Sequence, residues 1–274
     1  MREKGSAFPE GVERFPLGAK IEVDRITLTT GGGATNAAVT FARQGIRTKC
    51  LIEIGVDTIG DVIISELRHE GITPLAVRNK KLMTGYSTLL LAPTGERTIL
   101  VYRGASGDLT PSEIPFSKLS TDWAYITPGS IAPSTIARLM QYLAAHKTRI
   151  AFNPSSYYLE FGLSKLKPLL AACAVFNVNR EEAAKLTGIS FKDEARIFKS
   201  LDAHIDGIAV MTDGSRGVSV SDGKTLYHAG IFKEKRIINR TGAGDAFGSG
   251  FVSALVHADV VADASIRDAI RLGS

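Results

Sequence analysis

Cysteine and tryptophan are scarce in this sequence of 274 residues, which contains two cysteines and one tryptophan. Cys50 and Cys173 lie far apart in apolar surroundings, which fits two buried thiols in a reducing compartment better than a disulfide framework. Long apolar runs are also missing, so a membrane-spanning helix is not expected, and the first residues lack the apolar stretch of a signal peptide. These absences predict a cytoplasmic protein without a membrane partner.

Clusters of positive charge are absent too. The formal charge is +5, but the 33 lysines and arginines are spread along the chain, and no zinc-finger spacing of Cys and His occurs. We therefore expect no nucleic-acid partner, while the small positive excess favours anionic small molecules. With 44% hydrophobic residues and 27 glycines, the composition is that of a folded protein rich in tight turns.

Strand-like and helix-like patterns alternate along the chain, as expected for a mainly parallel sheet covered by helices. The strand-like runs are TKCLIEIG, WAYITPG, RIAFNPS, AVFNVN and GIAVMTDG. Between them lie helical runs such as APSTIARLMQYLAAHK, in which Ile136, Leu139, Met140 and Leu143 share one face. We predict a single α/β domain over residues 1–274.

Two segments interrupt this alternation, at about residues 11–30 and 82–105. The second holds two β-rich runs around a PTGE turn. We predict that the two segments form a small β-sheet lid at one edge of the main sheet, where open α/β sheets bind ligands. Exposed apolar residues on such a lid favour a homodimer that forms through it.

The stretch INRTGAGDAF, residues 238–247, leads from a strand-like run into the helical run DAFGSGFVSALVHA. The N–H groups of Gly242, Ala243 and Gly244 then lie at a helix N-terminus, which is a natural anion site. Asp245 lies in the first turn beside them. Such an arrangement suits phosphoryl transfer, because the N–H groups balance charge and the carboxylate orients and deprotonates a hydroxyl.

Three other interpretations compete for the same stretch. A capped helix with an acid in its first turn would leave the two glycines unexplained. A dinucleotide fingerprint would need Gly242, Gly244 and Gly248, a spacing one residue too long, and only 26 residues follow Gly248. A P-loop is excluded because no G-x-x-x-x-G-K-[ST] occurs.

A second glycine-rich stretch, TTGGGATNAAVTFARQG at residues 29–45, also enters a helix made of small residues. Its glycines allow a ligand to lie against the backbone, and Asn36 offers a donor and an acceptor to a sugar hydroxyl. Read alone, the same residues would serve as a hinge and a cap. Together with the TGAGD stretch they indicate one ligand site.

The ordered pair GGGATNAAVTFARQG…IGVDTIGD and NRTGAGDAFGSGF resembles the ribokinase-like carbohydrate kinases, also called the phosphofructokinase B group. The similarity extends over nearly the whole chain. It implies a ribokinase-like three-layer α/β sandwich with a mainly parallel central sheet and a small β-sheet lid. It also implies transfer of the ATP γ-phosphate to the hydroxymethyl group of a sugar, sugar phosphate or nucleoside.

The resemblance also implies residue roles. Asp245 becomes the catalytic base, and Gly242, Ala243 and Gly244 the anion hole. The other implied roles are sugar binding by Gly32, Gly33 and Asn36, magnesium binding through water by Asn179 and Glu182, and ATP binding by Thr212, Gly214 and Gly217. Without the resemblance, the stretch at residues 179–182 would be a helix cap with a surface acid, and residues 212–217 a plain turn.

Two arginines are further candidates. Arg103 could reach an anionic substrate or the phosphates, although an exposed arginine at a strand end is an equal interpretation, and Arg240 could contact nucleotide phosphate. Asn239 and Arg240 replace an Asp-Thr pair common in the family. The loss of that aspartate removes a charge associated with a monovalent cation, so potassium activation is not expected.

Both ends of the sequence differ from the family pattern. The family usually begins with a strand that carries a sugar-binding aspartate, and it continues past AIRLGS into a helix beside the adenine pocket. We expect this chain to be truncated at both ends relative to that pattern. A catalytically silent sugar- or nucleotide-binding homologue and, less favoured, a nicotinamide-dependent oxidoreductase therefore stay open as alternatives to the kinase.

Overall fold

The computed structural model describes residues 15–23, 25–91, 97–232, 242–258 and 262–274. Its strands are β1 Lys49–Gly55, β2 Thr73–Asn79, β3 Tyr86–Leu91, β4 Arg97–Tyr102, β5 Trp123–Ile126, β6 Arg149–Phe152, β7 Val175–Asn179, β8 Ile208–Thr212, β9 Val218–Ser221 and β10 Leu226–Ala229. Its α-helices are α1 Gly33–Arg43, α2 Thr58–His69, α3 Pro133–Ala145, α4 Ser156–Leu159, α5 Gly162–Leu170, α6 Arg180–Thr187, α7 Glu194–Asp202, α8 Ala243–His257 and α9 Asp263–Gly273.

Within the described residues, the central sheet has six strands in the order β10-β9-β8-β7-β6-β5. Strands β5 to β8 are parallel, and β9 and β10 add an antiparallel margin. Strands β1 and β2 form a separate parallel pair. The sequence runs that predicted β1 and β5 to β8 all form strands, so the mainly parallel sheet is confirmed.

Side chains alternate between the two faces of the central sheet, because successive residues of a strand point in opposite directions. Phe152 and Phe176 join the hydrophobic cluster that contains the buried residues of α3, α5, α6 and α7. Ala151 and Val175, one residue earlier in each strand, join the cluster that contains buried residues of α1, α8 and α9. Helices thus cover both faces, and the predicted three-layer α/β sandwich is confirmed.

The predicted helix faces are also those that the structure buries. In α3, Ile136, Met140 and Leu143 are almost completely buried, as is Leu139. Among the described residues, no helix has both the length and the apolar character needed to cross a membrane.

Strands β3 and β4 pair antiparallel, with Tyr86 opposite Tyr102, as expected for the second lid segment. The first segment differs from the prediction: residues 15–23 and 25–30 carry no strand, and almost all their side chains are exposed. A strand requires a partner for its backbone groups. In the described part of residues 15–30, backbone groups make a local turn from Ala19 N–H to the Pro16 carbonyl, a bond from the Thr29 hydroxyl to the Thr30 carbonyl and a bond from Thr30 N–H to Glu66.

The β3–β4 hairpin is attached to the body of the protein through Asp57, the N-cap of α2. The Asp57 carboxylate accepts hydrogen bonds from the N–H of Gly60 at 2.8 Å and from the N–H and hydroxyl of Thr84, both at 2.7 Å. Thr84 is buried and lies two residues before β3. One carboxylate therefore joins the start of a helix to the base of the hairpin.

Replacement of Asp57 by Asn should lower the free energy of unfolding by about 1–2 kcal/mol at pH 7, because the amide cannot accept every hydrogen bond that the carboxylate accepts. The N–H of Thr84, followed by that of Gly60 and the Thr84 hydroxyl, holds the pKa of Asp57 below its usual value. This stabilisation is therefore complete above the unfolded pKa of about 3.9 and is lost as pH falls through the lower folded value. Urea unfolding at pH 7 and pH 3 measures the difference.

Asp193→Asn is the matched control, since Asp193 caps α7 with a single bond to the N–H of Arg196. Asparagine caps helices about as well as aspartate, so this variant should unfold near the wild-type urea concentration. Equal losses in the two variants would contradict the role assigned to Asp57.

Candidate functional site

The two glycine-rich stretches meet where α1 passes α8. The Nδ2 of Asn36 donates to the Oδ2 of Asp245 at 2.8 Å, although 209 residues separate them in sequence. Both side chains are half-buried. The carboxylate that we expected to act as a base thus lies beside the amide that we expected to bind a sugar.

Helix α8 begins as the TGAGD motif predicts. Gly242 is its N-cap with φ +80°, a left-handed conformation that favours glycine, and its carbonyl accepts from the N–H of Ala246 at 2.8 Å. Ala243 and Gly244 form the exposed first turn. Their N–H groups therefore face outward at the positive end of the helix, next to Asp245. The preceding strand-like residues 237 and 238, with Asn239, Arg240 and Thr241, lie outside the described residues.

Helix α1 begins in a similar way at Gly32, which has φ +102°. Gly33 lies against the residue that follows β5: a Cβ on Gly33 would lie 2.9–3.1 Å from side-chain atoms of Thr127. The hydroxyl of Thr35 closes the turn with bonds to the carbonyls of Gly31 and Gly32. Glycine at position 33 therefore allows the N-terminus of α1 to approach the end of β5 closely.

The residues expected on the nucleotide side lie at the carboxyl ends of β7 and β8, where Asn179 pairs with Thr212. Gly214 and Gly217 follow in a short turn, with φ +53° and +96°. A Cβ on Gly217 would overlap the carbonyl oxygen of Ala229, so this position requires glycine. The sheet thus brings Asn179 and the 212–217 turn together.

Asn179 and Glu182 form a reciprocal capping box at the start of α6. The Asn179 side chain accepts from the N–H of Glu182, and the Glu182 carboxylate accepts from the N–H of Asn179, both at 2.8 Å. Burial raises the pKa of Glu182, while the N–H of Asn179 lowers it. The capping interpretation is therefore geometrically sound, and it leaves the second carboxylate oxygen for another partner.

Sequence reasoning missed an ion-pair network beside this turn. Arg180, the first residue of α6, contacts Asp213 at 2.9 Å and Glu194 at 3.0 Å, and its side chain is only 16% exposed. Arg216 also pairs with Asp213, at 2.6 Å. The pKa of Asp213 is lowered, chiefly by Arg216 and also by Arg180. No local sequence pattern joins Arg180 or Glu194 to this turn, because they begin the helices α6 and α7, whereas Asp213 and Arg216 follow β8.

A cavity of about 600 Å³ lies beside the Asn36–Asp245 contact. Its walls include Asn36 and Gly242 of the predicted site, and much of the remaining lining is polar: Thr29, Thr30, Thr40, Arg43, Ser65, Glu66, His69 and Glu70. Gly32, Gly33 and Asp245 do not line it. The cavity therefore adjoins the predicted site along α1 without enclosing all of it.

The structure does not bring every candidate to this site. Arg103 is exposed at the base of the β3–β4 hairpin, and no hydrogen bond among the described residues joins it to Asn36 or Asp245. Its carbonyl accepts from the N–H and hydroxyl of Ser106. Arg240 lies outside the described residues.

Comparison with known proteins identifies the class of protein to which this chain belongs. The family model for "pfkB family carbohydrate kinase" matches residues 8–274, which makes the protein a phosphotransferase that acts on an alcohol group. The chain belongs to the pfkB family of carbohydrate kinases. This membership favours the kinase over the oxidoreductase, and it implies the use of ATP.

Similar proteins carry several substrate names. The chain is 28% identical over 250 residues to a ribokinase from Haemophilus influenzae, covering 89% of this chain and 78% of that protein. It is 28% identical over 240 residues to a cytidine kinase from Thermococcus kodakarensis, covering 84% and 81%. The similar proteins thus include both a sugar kinase and a nucleoside kinase by name.

Solved structures show the same fold. Ribokinase from Giardia lamblia superposes with a TM-score of 0.81 at 23% identity, covering 95% of this chain and 86% of that one. Fructokinase from Vibrio cholerae O395, in a form with fructose, ADP and calcium ion bound, has a TM-score of 0.75 at 22% identity, covering 89% and 82%. At these identities the similarity is one of fold.

Proposed function

We propose that this protein transfers the γ-phosphate of ATP to a hydroxymethyl group of a sugar, sugar phosphate or nucleoside, with Asp245 as the general base. The observation that supports this most directly is the 2.8 Å hydrogen bond between Asn36 and Asp245. In this contact the Asn36 amide, an uncharged donor and acceptor suited to a sugar hydroxyl, lies beside the Asp245 carboxylate at the N-terminus of α8.

In the proposed reaction, Asp245 accepts the proton of the acceptor hydroxyl as its oxygen bonds to the γ-phosphorus. The bond between that phosphorus and the β–γ bridging oxygen breaks, and ADP leaves. The N–H groups at Gly242, Ala243 and Gly244 balance the charge on the transferring group, since they lie at the positive end of α8. Gly32 and Gly33 contribute backbone to the acceptor side.

The nucleotide is proposed to lie along Asn179, Thr212, Gly214 and Gly217. Magnesium commonly keeps several waters and takes one or two carboxylates plus substrate phosphates. The described residues contain no group of three or more acidic, histidine or cysteine side chains able to hold a metal ion. Glu182, with Asn179, fits a site of the water-mediated kind, and magnesium there would balance phosphate charge.

An ATP-consumption assay across acceptors tests the proposal. The acceptors are ribose, fructose, fructose 6-phosphate, ketodeoxygluconate, adenosine and cytidine, with ADP release followed and the phosphorylated product identified by mass spectrometry. We expect one acceptor to stimulate ADP release well above the acceptor-free rate. Binding of an acceptor or of ATP without phosphorylated product would instead indicate the silent homologue.

We also propose a homodimer that forms through the β3–β4 hairpin. Leu89, Ile99, Leu100 and Val101 are 41–59% exposed there, and neighbours in each strand point to opposite faces. Both faces are thus apolar, although a lone two-stranded hairpin has only marginal stability in water. A second subunit can cover one face while the other closes over the substrate.

Leu100→Glu should convert the dimer to a monomer, because a charge would be buried at the proposed interface. Light scattering coupled to size-exclusion chromatography measures the mass. Leu226→Glu, on edge strand β10 and 39% exposed, is the same change away from the hairpin and should leave the dimer intact. A monomeric wild-type protein, or a dimeric Leu100→Glu variant, would exclude this interface.

A further inference from the structure

Helix α8 makes an unusually close contact at Gly248. A Cβ at this position would overlap both the hydroxyl of Tyr125, near the end of β5, and the Nδ2 of Asn177, in β7. A glycine inside a helix costs about 1 kcal/mol relative to alanine. The missing side chain therefore has a packing consequence: it lets two polar side chains reach the helix backbone.

Both polar side chains are held firmly. Asn177 is 4% exposed, and its backbone carbonyl accepts from the Nδ2 of Asn153 at 3.0 Å, which fixes this residue within β7. The ring of Tyr125 packs edge-on against Phe41 of α1, with centroids 5.6 Å apart. Neither can turn away without leaving a void, so together they limit how closely α8 approaches the sheet.

The polar ends of these side chains are buried next to each other without a hydrogen bond of good geometry. Neither the Tyr125 hydroxyl nor the Asn177 Oδ1 has a hydrogen-bond partner in the described structure. An unsatisfied buried polar group costs about 1–3 kcal/mol, so apolar residues would stabilise the fold better. Such groups in a folded protein call for an explanation beyond packing.

Asp245 lies three residues before Gly248, one turn earlier on the same helix. The hydroxyl of Ser249 donates to the Asp245 carbonyl at 2.6 Å, so the residue after Gly248 is bonded directly to the turn that carries Asp245. Burial raises the pKa of the Tyr125 hydroxyl, the neighbouring Asn177 amide lowers it, and the negative charge of Asp245 raises it. The contact at Gly248 therefore lies close enough to Asp245 to affect its position.

We propose that Tyr125 and Asn177 are positioning residues for Asp245, and that Gly248 is the residue that permits them to act. They set the depth at which α8 lies against β5 and β7, and with it the distance between the carboxylate and the acceptor hydroxyl. This inference rests on the proposed function, in which that distance controls turnover.

The first test is Gly248→Ala. The added methyl pushes α8 away from the sheet, and we expect kcat to fall at least tenfold, since a misplacement of about 1 Å can cost a factor of 10². The KM for ATP should stay within twofold, because residues 212–217 are not displaced. Tyr125→Phe, and then Asn177→Ser, added to Gly248→Ala remove the overlapping atoms and should restore kcat stepwise.

Gly250→Ala is the matched control. Its Cβ would lie 2.9 Å from the Leu272 carbonyl and 3.0 Å from the Gly273 Cα, on the side of α8 that faces α9. The same two second-site changes should not restore any loss in this variant. Rescue of both alanine variants, or of neither, would overturn the proposal, as would a Gly248→Ala enzyme with wild-type kcat.

A readout without turnover separates this inference from the proposed function. The side-chain amide resonance of Asn36 reports its hydrogen bond to Asp245 directly. We expect that resonance to shift in Gly248→Ala and to return toward its wild-type position in the rescued variants, with thermal unfolding showing that each is folded. If the wild-type protein phosphorylates no acceptor, the proposed function fails, and an unchanged Asn36 resonance would independently overturn the positioning role.

Discussion

Asp245→Asn should lower kcat by about 10²–10⁴-fold, the usual contribution of a general base, and leave the Kd for ATP within twofold. Asparagine has nearly the same shape and can still accept from Asn36, so the contact between α1 and α8 is retained. It cannot accept the proton of the acceptor hydroxyl. Steady-state kinetics and calorimetric titration with ATP measure the two quantities.

Asp268→Asn provides the control, because Asp268 is an exposed carboxylate of α9 whose ion pair with Arg271 spans 3.5 Å. This variant should retain wild-type kcat and thermal stability. If Asp245→Asn turned over at the wild-type rate, Asp245 would not be the base. If it lost ATP binding as well, the defect would lie in the structure of the α8 N-terminus.

Arg180→Met should have the largest effect on stability, lowering the free energy of unfolding by about 2–3 kcal/mol. Removing one partner from a buried ion pair commonly costs 3–5 kcal/mol, and here Asp213 and Glu194 retain other partners in Arg216 and His228. Since Arg180 also fixes the turn at Asp213, we expect the KM for ATP to rise about tenfold. Urea unfolding and initial rates against ATP concentration check both effects.

The pH dependence of this loss has a definite sign. The pKa of Asp213 is lowered in the folded protein, chiefly by Arg216 and also by Arg180. Its ion pairs therefore stabilise the fold fully above the unfolded pKa of about 3.9, and the contribution disappears as pH falls through the folded value. The difference between wild type and Arg180→Met should accordingly shrink below pH 4.

Arg216→Met is the matched comparison, because Arg216 binds the same carboxylate but is 62% exposed. Exposed ion pairs contribute about 0–1 kcal/mol, so this variant should lose less than half as much stability as Arg180→Met. If Arg180→Met and Arg216→Met lowered the free energy of unfolding equally, burial would not control the strength of these ion pairs.

The periodicity of apolar residues in the sequence was sufficient to predict the strands of the central sheet and the helices that cover it. Runs such as RIAFNPS and AVFNVN alternate side chains between two buried faces, and β6 and β7 form there. Periodicity was not sufficient to predict the first lid segment, at about residues 11–30, because its described residues form no strand. A strand depends on a partner elsewhere in the chain, and local pattern carries no information about that partner.

Local sequence therefore determined some features of this protein, and only the tertiary structure decided the others. Local sequence was enough for the helix starts at Gly32 and Gly242, for the base candidate Asp245 and for the alternating strands, because caps, turns and amphipathic faces depend on near neighbours. Only the tertiary structure shows the hydrogen bond between Asn36 and Asp245 and the ion pair between Arg180 and Asp213. It also shows that Tyr125 and Asn177 pack against Gly248. Each of these contacts joins residues from different elements, and their meeting depends on how helices pack across the ends of parallel strands.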